Sequence, residues 1–288
     1  MSNQSGCLYV VATPIGNLGD MSPRAIEVLN HVAVIAAEDT RHTGRLLEQF
    51  DCRTPQLSLH EHNEASRVQR LLERLQAGDD IALVSDAGTP LISDPGYRLV
   101  RAAREAGLTV LAVPGPSSIT AALSVAGLPT DRFWFEGFLP ARSSARRRRL
   151  EALADVSGTL VFFEAGRRLG ATLSEMAEVF GGSREAAVAR ELTKRFETTQ
   201  MDTLAQLVDW QAADANQARG EFVVMVAPAA TEVADSADTQ SPLDVDRLLK
   251  LLRQEGLGAK AAARVAAALS GQSVNALYAR ATDASTPK

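Results

Sequence analysis

From the start of the chain to residue 116, short β-branched runs alternate with amphipathic stretches, the pattern of a parallel sheet covered on both faces. The runs Cys7–Ala12, Val32–Ala37, Ile81–Ser85 and Thr109–Val113 predict strands. The stretches between them carry helix start and stop signals: Ser22 before Pro23, Asn63 opening a helix through Gln76 with Gly78 ending it, and Gly107 ending a helix over Leu99–Glu105. A further helix follows the Pro114-Gly115-Pro116-Ser117 turn and stops at Gly127-Leu128-Pro129.

Strands recur at Thr159–Phe163, Ala186–Ala189, Phe196–Asp202 and Glu221–Val226, with helices near Arg146–Ala154, Leu173–Phe180 and Leu204–Gln211. Phe196–Asp202 lies too close to the preceding strand for a helical crossover, which predicts a mixed sheet. Phe133-Trp134-Phe135-Glu136-Gly137-Phe138 places four aromatics in six residues and reads as strand and interface packing. The patterns divide the chain into α/β domains at 1–116 and 117–227, a linker at 228–242 and a helical extension at 243–288. In the extension, Leu243–Gln254, Lys260–Leu269 and Ser273–Arg280 read as three short helices joined by Gly-containing turns, a helix-turn-helix-like arrangement or a small Ala-rich bundle.

Apolar runs such as Leu108–Val113 are far shorter than the roughly 20 residues that span a bilayer, and no cationic start precedes an apolar block, so a cytoplasmic chain is expected. Cys7 and Cys52 read as reduced packing residues. The net charge of −5 argues at first against a nucleic-acid partner. Its distribution changes that picture: 228–242 holds three acids and no base, 243–288 seven bases and four acids, and five arginines gather between 141 and 149 with no acid among them.

Open parallel sheets bind ligands beyond the carboxyl ends of their strands. Four loops there are rich in Gly, Pro and Asp: Ala12–Asp20, Ala37–Arg41, Ser85–Pro90 continuing to Ser93–Gly96, and Pro114–Ser118. Neither a G-x-G-x-x-G fingerprint nor a G-x-x-x-x-G-K-[ST] loop is present, which disfavours a dinucleotide or a nucleoside triphosphate. Acids with few basic neighbours suit hydroxyls, an amine or a positive sulfonium, as in S-adenosylmethionine, better than several phosphates.

Leu8–Asp20, Ala37–Arg41, Ser85–Pro90, Pro114–Ser117, Glu136–Pro140 and Ala189–Lys194 together resemble the bacterial small-subunit ribosomal RNA methyltransferases of the tetrapyrrole methylase superfamily. The resemblance implies two α/β domains with S-adenosylmethionine folded in the cleft between them, a homodimer, and 2′-O-methylation of a cytidine ribose in 16S rRNA or the 30S subunit. Carried onto this chain, the cofactor meets Pro14, Ser85, Asp86, Ala87, Gly88, Ser93 and Asp94 on one side. On the other it meets Ser118, Ile119, Thr120, Ala121, Phe163, Ala189, Arg190 and Gly220.

Methyl transfer to a hydroxyl needs alignment and a proton acceptor. Candidates are Glu38, Asp39, Asp86, Glu164, Glu191 and the His60/His62 pair, with Asp39 acting with Arg41 as the preferred couple; a helix cap over Thr40–Arg45 is the competing role for Asp39, and an ion pair for Glu191. His60-Glu61-His62 lacks the H-E-x-x-H spacing, so no metal is expected. Arg142, Arg146, Arg147, Arg148 and Arg149 call for a phosphate partner, with Arg167, Arg168, Lys194 and Arg195 extending the track. Two other functions compete: methylation of a tetrapyrrole or other small acceptor, and a non-enzymatic nucleic-acid-binding regulator using the C-terminal helices. Deletion of residues 228–288 separates enzyme from regulator, because a cleft-centred enzyme keeps cofactor binding, measured by calorimetry, whereas a regulator loses its activity.

Overall fold

A computed structural model describes residues 5–60, 63–229 and 245–283. Contacts divide the chain into two compact units, one ending at residue 231 and the other beginning at 232. The first sheet is wholly parallel, in the order β3-β2-β4-β1-β5, from β1 (Cys7–Val11), β2 (Val34–Ala37), β3 (Gln56–Ser58), β4 (Ile81–Val84) and β5 (Thr109–Val113). Side chains alternate across it. Val11, Ile35 and Val84 pack with α1 (Pro23–His31) and α2 (Thr40–Glu48), while Leu8, Val34 and Leu83 pack with α3 (Glu64–Gln76) and α4 (Tyr97–Glu105).

Local signals act as expected at α1, where the Ser22 hydroxyl accepts from the Ala25 N–H at 3.1 Å and Pro23 takes the first position. Asn63 precedes α3 but its side chain does not cap it; Oδ1 turns back to accept from the His60 N–H at 2.9 Å. His62 lies outside the described residues. β3 was absent from the sequence expectations, being a three-residue edge strand with polar residues at both ends.

The second sheet runs β6-β7-β10-β8-β9, from β6 (Phe133–Phe138), β7 (Thr159–Ala165), β8 (Glu185–Arg190), β9 (Thr198–Thr203) and β10 (Glu221–Val226). Only β6 and β7 are parallel, so the sheet is mixed, as the short spacing before β9 predicts. The helix α5 (Ser118–Val125) packs Ile119, Ala122 and Leu123 on one face, against Val161, Ala187 and Val223. On the other face α6 (Ser143–Leu153), α7 (Gly166–Phe180) and α8 (Leu204–Ala213) bury Leu150, Leu173 and Leu207 against Leu160, Phe162 and Val224. α7 begins well before the expected Leu173. Gly166 and Gly170 resemble helix breakers in sequence, yet each marks a close approach: a Cβ there would lie 2.2 Å from the Ala218 carbonyl oxygen and 2.4 Å from Gln211 Oε1.

From residue 230 the acidic stretch 228–242 falls outside the described residues. Among its described residues the C-terminal unit holds three helices, α9 (Val245–Gln254), α10 (Ala259–Ser270) and α11 (Val274–Asp283), around Leu249, Ala262, Ala266 and Leu277. Cys7 and Cys52 are free thiols. Among the described residues no helix is long and apolar enough to cross a membrane.

The arginine run corrects the expectation that it lacks acidic partners. Acids from other elements reach it: buried Arg146 forms a two-pronged pair with Glu175, its Nε and Nη2 at 2.8 and 2.7 Å from the carboxylate oxygens. Arg147 meets Glu178 at 2.7 Å and Glu151 at 3.4 Å, and Arg149 grips Glu136. Arg142 and Arg148 are exposed and make no ion pair among the described residues. Removing one partner of a buried pair leaves the other charge uncompensated. Arg146→Ala is therefore expected to lower stability by ~3–5 kcal/mol, read from urea unfolding, and Arg148→Ala to stay within about 0.5 kcal/mol.

Candidate active site

A parallel sheet leaves the loops at its carboxyl edge without a ladder, yet here three of them are tied together. Thr13 and Gly88 form an isolated antiparallel bridge, with N–H to carbonyl distances of 2.9 and 3.1 Å. The buried Thr13 hydroxyl reaches the Ser85 and Gly88 carbonyls, and the Thr89 hydroxyl donates to the Pro116 carbonyl at 3.1 Å. The loops after β1, β4 and β5 thus form one rim.

Against this rim lies a cavity of about 410 Å³, whose far wall comes from β7, the end of β8 and β10. Ile15, Ile92, Phe138, Phe163, Leu192 and Phe222 supply apolar surface. Asp94, Glu164, Glu221 and Lys194 supply charge. Lys194 arches over Gly16, where any Cβ would sit 2.4 Å from its Cγ, and its Nζ reaches Glu191 at 3.0 Å and Glu221 at 2.7 Å. Paired with two carboxylates, it keeps its ammonium charge above the usual lysine range despite the opposing effect of burial.

Non-glycine residues with left-handed backbone concentrate at the lips of the cavity. Leu91 (φ 74°) and Ser93 (φ 69°) lie in one loop, Glu191 (φ 48°) and Thr193 (φ 64°) in the other. Such conformations cost roughly 1–3 kcal/mol each and persist only where surrounding structure enforces them.

Of the residues that the resemblance places against a cofactor, Ala87, Gly88, Ser93, Asp94, Ser118, Phe163, Ala189 and Gly220 line the cavity. Pro14, Ser85, Asp86, Ile119, Thr120, Ala121 and Arg190 are not in its wall. Ser85 is buried, with its hydroxyl 3.4 Å from the Ala87 carbonyl oxygen; Ile119 belongs to the core; Arg190 holds the Arg219 carbonyl at 2.8 Å. Sequence reasoning missed the wall residues Ile15, Ile92, Phe138, Leu192 and Phe222; the aromatic-rich stretch 133–138 was the available signal for Phe138, but it reads equally as packing.

The candidate proton acceptors separate by environment. Asp39 caps α2, accepting from the Arg41 N–H at 2.8 Å, and its side chain pairs with Arg41 at 2.7 Å. That pairing holds Asp39 well below the usual carboxylate range. Glu191 accepts from the Glu221 N–H at 3.0 Å and from Lys194. Glu164 is buried, accepting from the Thr172 hydroxyl at 2.6 Å and the Ala165 N–H at 2.8 Å. His60 is held by Asn63.

Asp94 differs. Burial first, and then the negative charges of Glu38 and Asp86, push it up to about 6, against a hydrogen bond from Ser85. Glu38 is itself raised, chiefly by burial. These acids share the rim because the Asp39 N–H donates to Asp86 at 3.1 Å and the Asp86 N–H to Glu38 at 3.4 Å. Among the described residues no group of three or more His, Cys, Asp or Glu could hold a metal ion.

Residues 7–208 match the Tetrapyrrole (Corrin/Porphyrin) Methylases and residues 239–285 the RsmI C-terminal HTH domain. The chain is 53% identical over 278 residues to Ribosomal RNA small subunit methyltransferase I of Pseudomonas aeruginosa, covering 96% of this chain and 97% of that one. It is 52% identical to the protein of the same name from Xylella fastidiosa, covering 95% and 98%. Its fold is similar to that of uroporphyrin-III-C-methyltransferase from Thermus thermophilus, with a TM-score of 0.55 and 21% identity, over 77% of this chain and 94% of that one. The parallel sheet with its hydrogen-bonded rim, the mixed sheet facing it and these matches along most of the chain agree: it belongs to the tetrapyrrole methylase family.

Proposed function

We propose that this chain is an S-adenosylmethionine-dependent methyltransferase that methylates the 2′-oxygen of a cytidine ribose in 16S rRNA of the small ribosomal subunit. The observation that carries the reading is the identity of about one residue in two, over nearly the full length of both chains, to the ribosomal RNA small subunit methyltransferases I. The partners in this reading are 16S rRNA or the 30S subunit and a second copy of the chain, and the reaction takes place in the cytoplasm. Methylation of a tetrapyrrole has weaker support, because the similarity to that solved methyltransferase is one of fold.

The cavity's chemistry fits the methyl donor. Apolar walls at Ile15, Phe163 and Leu192 suit a flat base and a methylene chain, and Asp94 suits a cationic centre, as does the one negative charge left over when Lys194 pairs with both Glu191 and Glu221. When bound, the donor supplies an electrophilic methyl on a sulfonium, whose sulfur leaves without needing an acid. The chain's own task is alignment, which in general contributes about 7–11 kcal/mol, and acceptance of the hydroxyl proton, a further ~10²–10⁴-fold. Asp94 is the proton acceptor in this reading, since it faces the cavity and its raised pKa gives its carboxylate more basicity than Asp39 retains beside Arg41. Of the arginines in the expected track, Arg142, Arg148, Arg167 and Arg195 are exposed and make no ion pair among the described residues, which leaves them to meet RNA phosphates.

Labelled methyl transfer from S-adenosylmethionine into free 16S RNA and into 30S particles, followed by nucleoside analysis, is expected to yield 2′-O-methylcytidine; no label in either substrate refutes the assignment. Asp94 must be ionised to accept a proton. The single-turnover rate is therefore expected to climb about tenfold per pH unit below the pKa of Asp94 in the loaded enzyme, which the sulfonium brings below its value of about 6 in the empty site, and to level above it. Asp94→Asn should remove that limb and lower the plateau by ~10²–10⁴-fold. Glu38→Gln, by deleting a neighbouring negative charge, should move the limb to lower pH.

A further inference from the structure

Strand β6 carries an aromatic ring that packing does not account for. Phe138 lines the cavity, yet 58% of it is exposed. Its direction is set by a bulge: Phe135 pairs with Val161, but Gly137 pairs with Phe162 and Phe138 with Phe163, leaving Glu136 as the extra residue. Without the bulge, alternation would place Phe138 opposite Glu164 and on the face covered by α6 and α7. With it, Phe135 and Phe138 both share the cavity face with Phe163, at centroid distances of 4.9 and 5.5 Å, edge to face.

The bulge is fixed on every side. Gly137 adopts φ 75°, which costs other residues roughly 1–2 kcal/mol. The expelled Glu136 is gripped by Arg149 Nη2 at 2.6 Å and Trp134 Nε1 at 3.1 Å. Beyond the strand, Arg168 Nη2 donates to the Leu139 carbonyl at 2.7 Å. The ring is therefore rigidly presented while much of it stays open to solvent, against the apolar preference for burial.

We propose that Phe138 is the stacking platform for the base of the nucleotide whose ribose is methylated, an inference that rests on the function proposed above. Drawing a nucleotide into the cavity so that its 2′-oxygen meets the methyl donor takes its base out of the RNA stack, at a cost of about a few kcal/mol. RNA recognition characteristically offsets that cost with aromatic rings. Two exposed cations stand at helix starts beyond the carboxyl ends of the parallel pair β6 and β7, the end at which Phe138 lies: Arg142 before α6 and Arg167 in the first turn of α7, and neither makes an ion pair among the described residues. They suit the phosphates flanking an extruded base.

The test is steady-state methyl transfer to 30S subunits that lack the modification, with Phe138→Ala, Phe138→Leu and Phe138→Trp beside the unaltered protein, and calorimetry with S-adenosylhomocysteine on each. Stacking is worth about 1–3 kcal/mol per base, so Phe138→Ala should raise KM for 30S roughly 5- to 150-fold with little change in kcat. Phe138→Trp should restore it and Phe138→Leu should not, whereas a packing role would be rescued by leucine. Affinity for S-adenosylhomocysteine should be unchanged in all three. A KM within twofold of the unaltered protein's overturns the platform, as does rescue by leucine or a matching loss of S-adenosylhomocysteine affinity, which would assign the ring to the donor's wall. An unaltered protein that labels neither 30S nor free 16S RNA refutes the ribosomal reading, and the platform with it.

Discussion

The antiparallel bridge between Thr13 and Gly88 is the interaction on which the rest of the site depends. Parallel strands end without a shared turn, so the sheet alone does not set the spacing of its carboxyl-edge loops. Two backbone hydrogen bonds and the threonine hydroxyls at 13 and 89 supply that spacing, joining the loops after β1, β4 and β5. The Pro114–Ser117 turn then starts α5 from a fixed point, and α5 seats its apolar face on the second sheet. Ile15, from the first of these loops, packs into the same cluster. The far wall of the cavity therefore takes its place relative to the rim through contacts that begin at one two-residue bridge.

Charge in this protein is organised by the same economy. The arginines of α6 do not form an undivided cationic face: Arg146 braces α6 on α7 through Glu175, and Arg149 stabilises a strand bulge through Glu136. Lys194 bridges two carboxylates across the loop that closes the cavity. Within the arginine run only Arg142 and Arg148 are exposed without an ion pair among the described residues. A net charge of −5 is compatible with an RNA substrate, because an average over the chain does not fix where its exposed cations lie.

The elements with strong periodicity or punctuation were legible in the sequence: the four β-branched runs of the first sheet, the mixed character of the second, and the three C-terminal helices. β3 escaped because three residues at a sheet edge carry no period. The start of α7 escaped because Gly166 and Gly170 serve close packing against Ala218 and Gln211, neighbours far along the chain. The rim loops were legible from their Gly, Pro and Asp content. The roles of individual acids were not, since Asp39 and Asp94 differ only in what surrounds them: a guanidinium in one case, burial beside two carboxylates in the other. Likewise the partners of Arg146 and Arg149 lie 29 and 13 residues away, beyond any local pattern.

β10 is the last strand of the second sheet to be made, yet it sits at its centre, between β7 and β8. Chains emerge from the ribosome amino end first, and the first sheet is complete in sequence by residue 113. The second sheet has no such autonomy: β8 and β9 have no central strand to pair with until residues 221–226 have been made. The residues of the cavity's far wall are thus all present only once translation has passed residue 223, near the end of the body, although the rim opposite is complete in sequence about a hundred residues earlier.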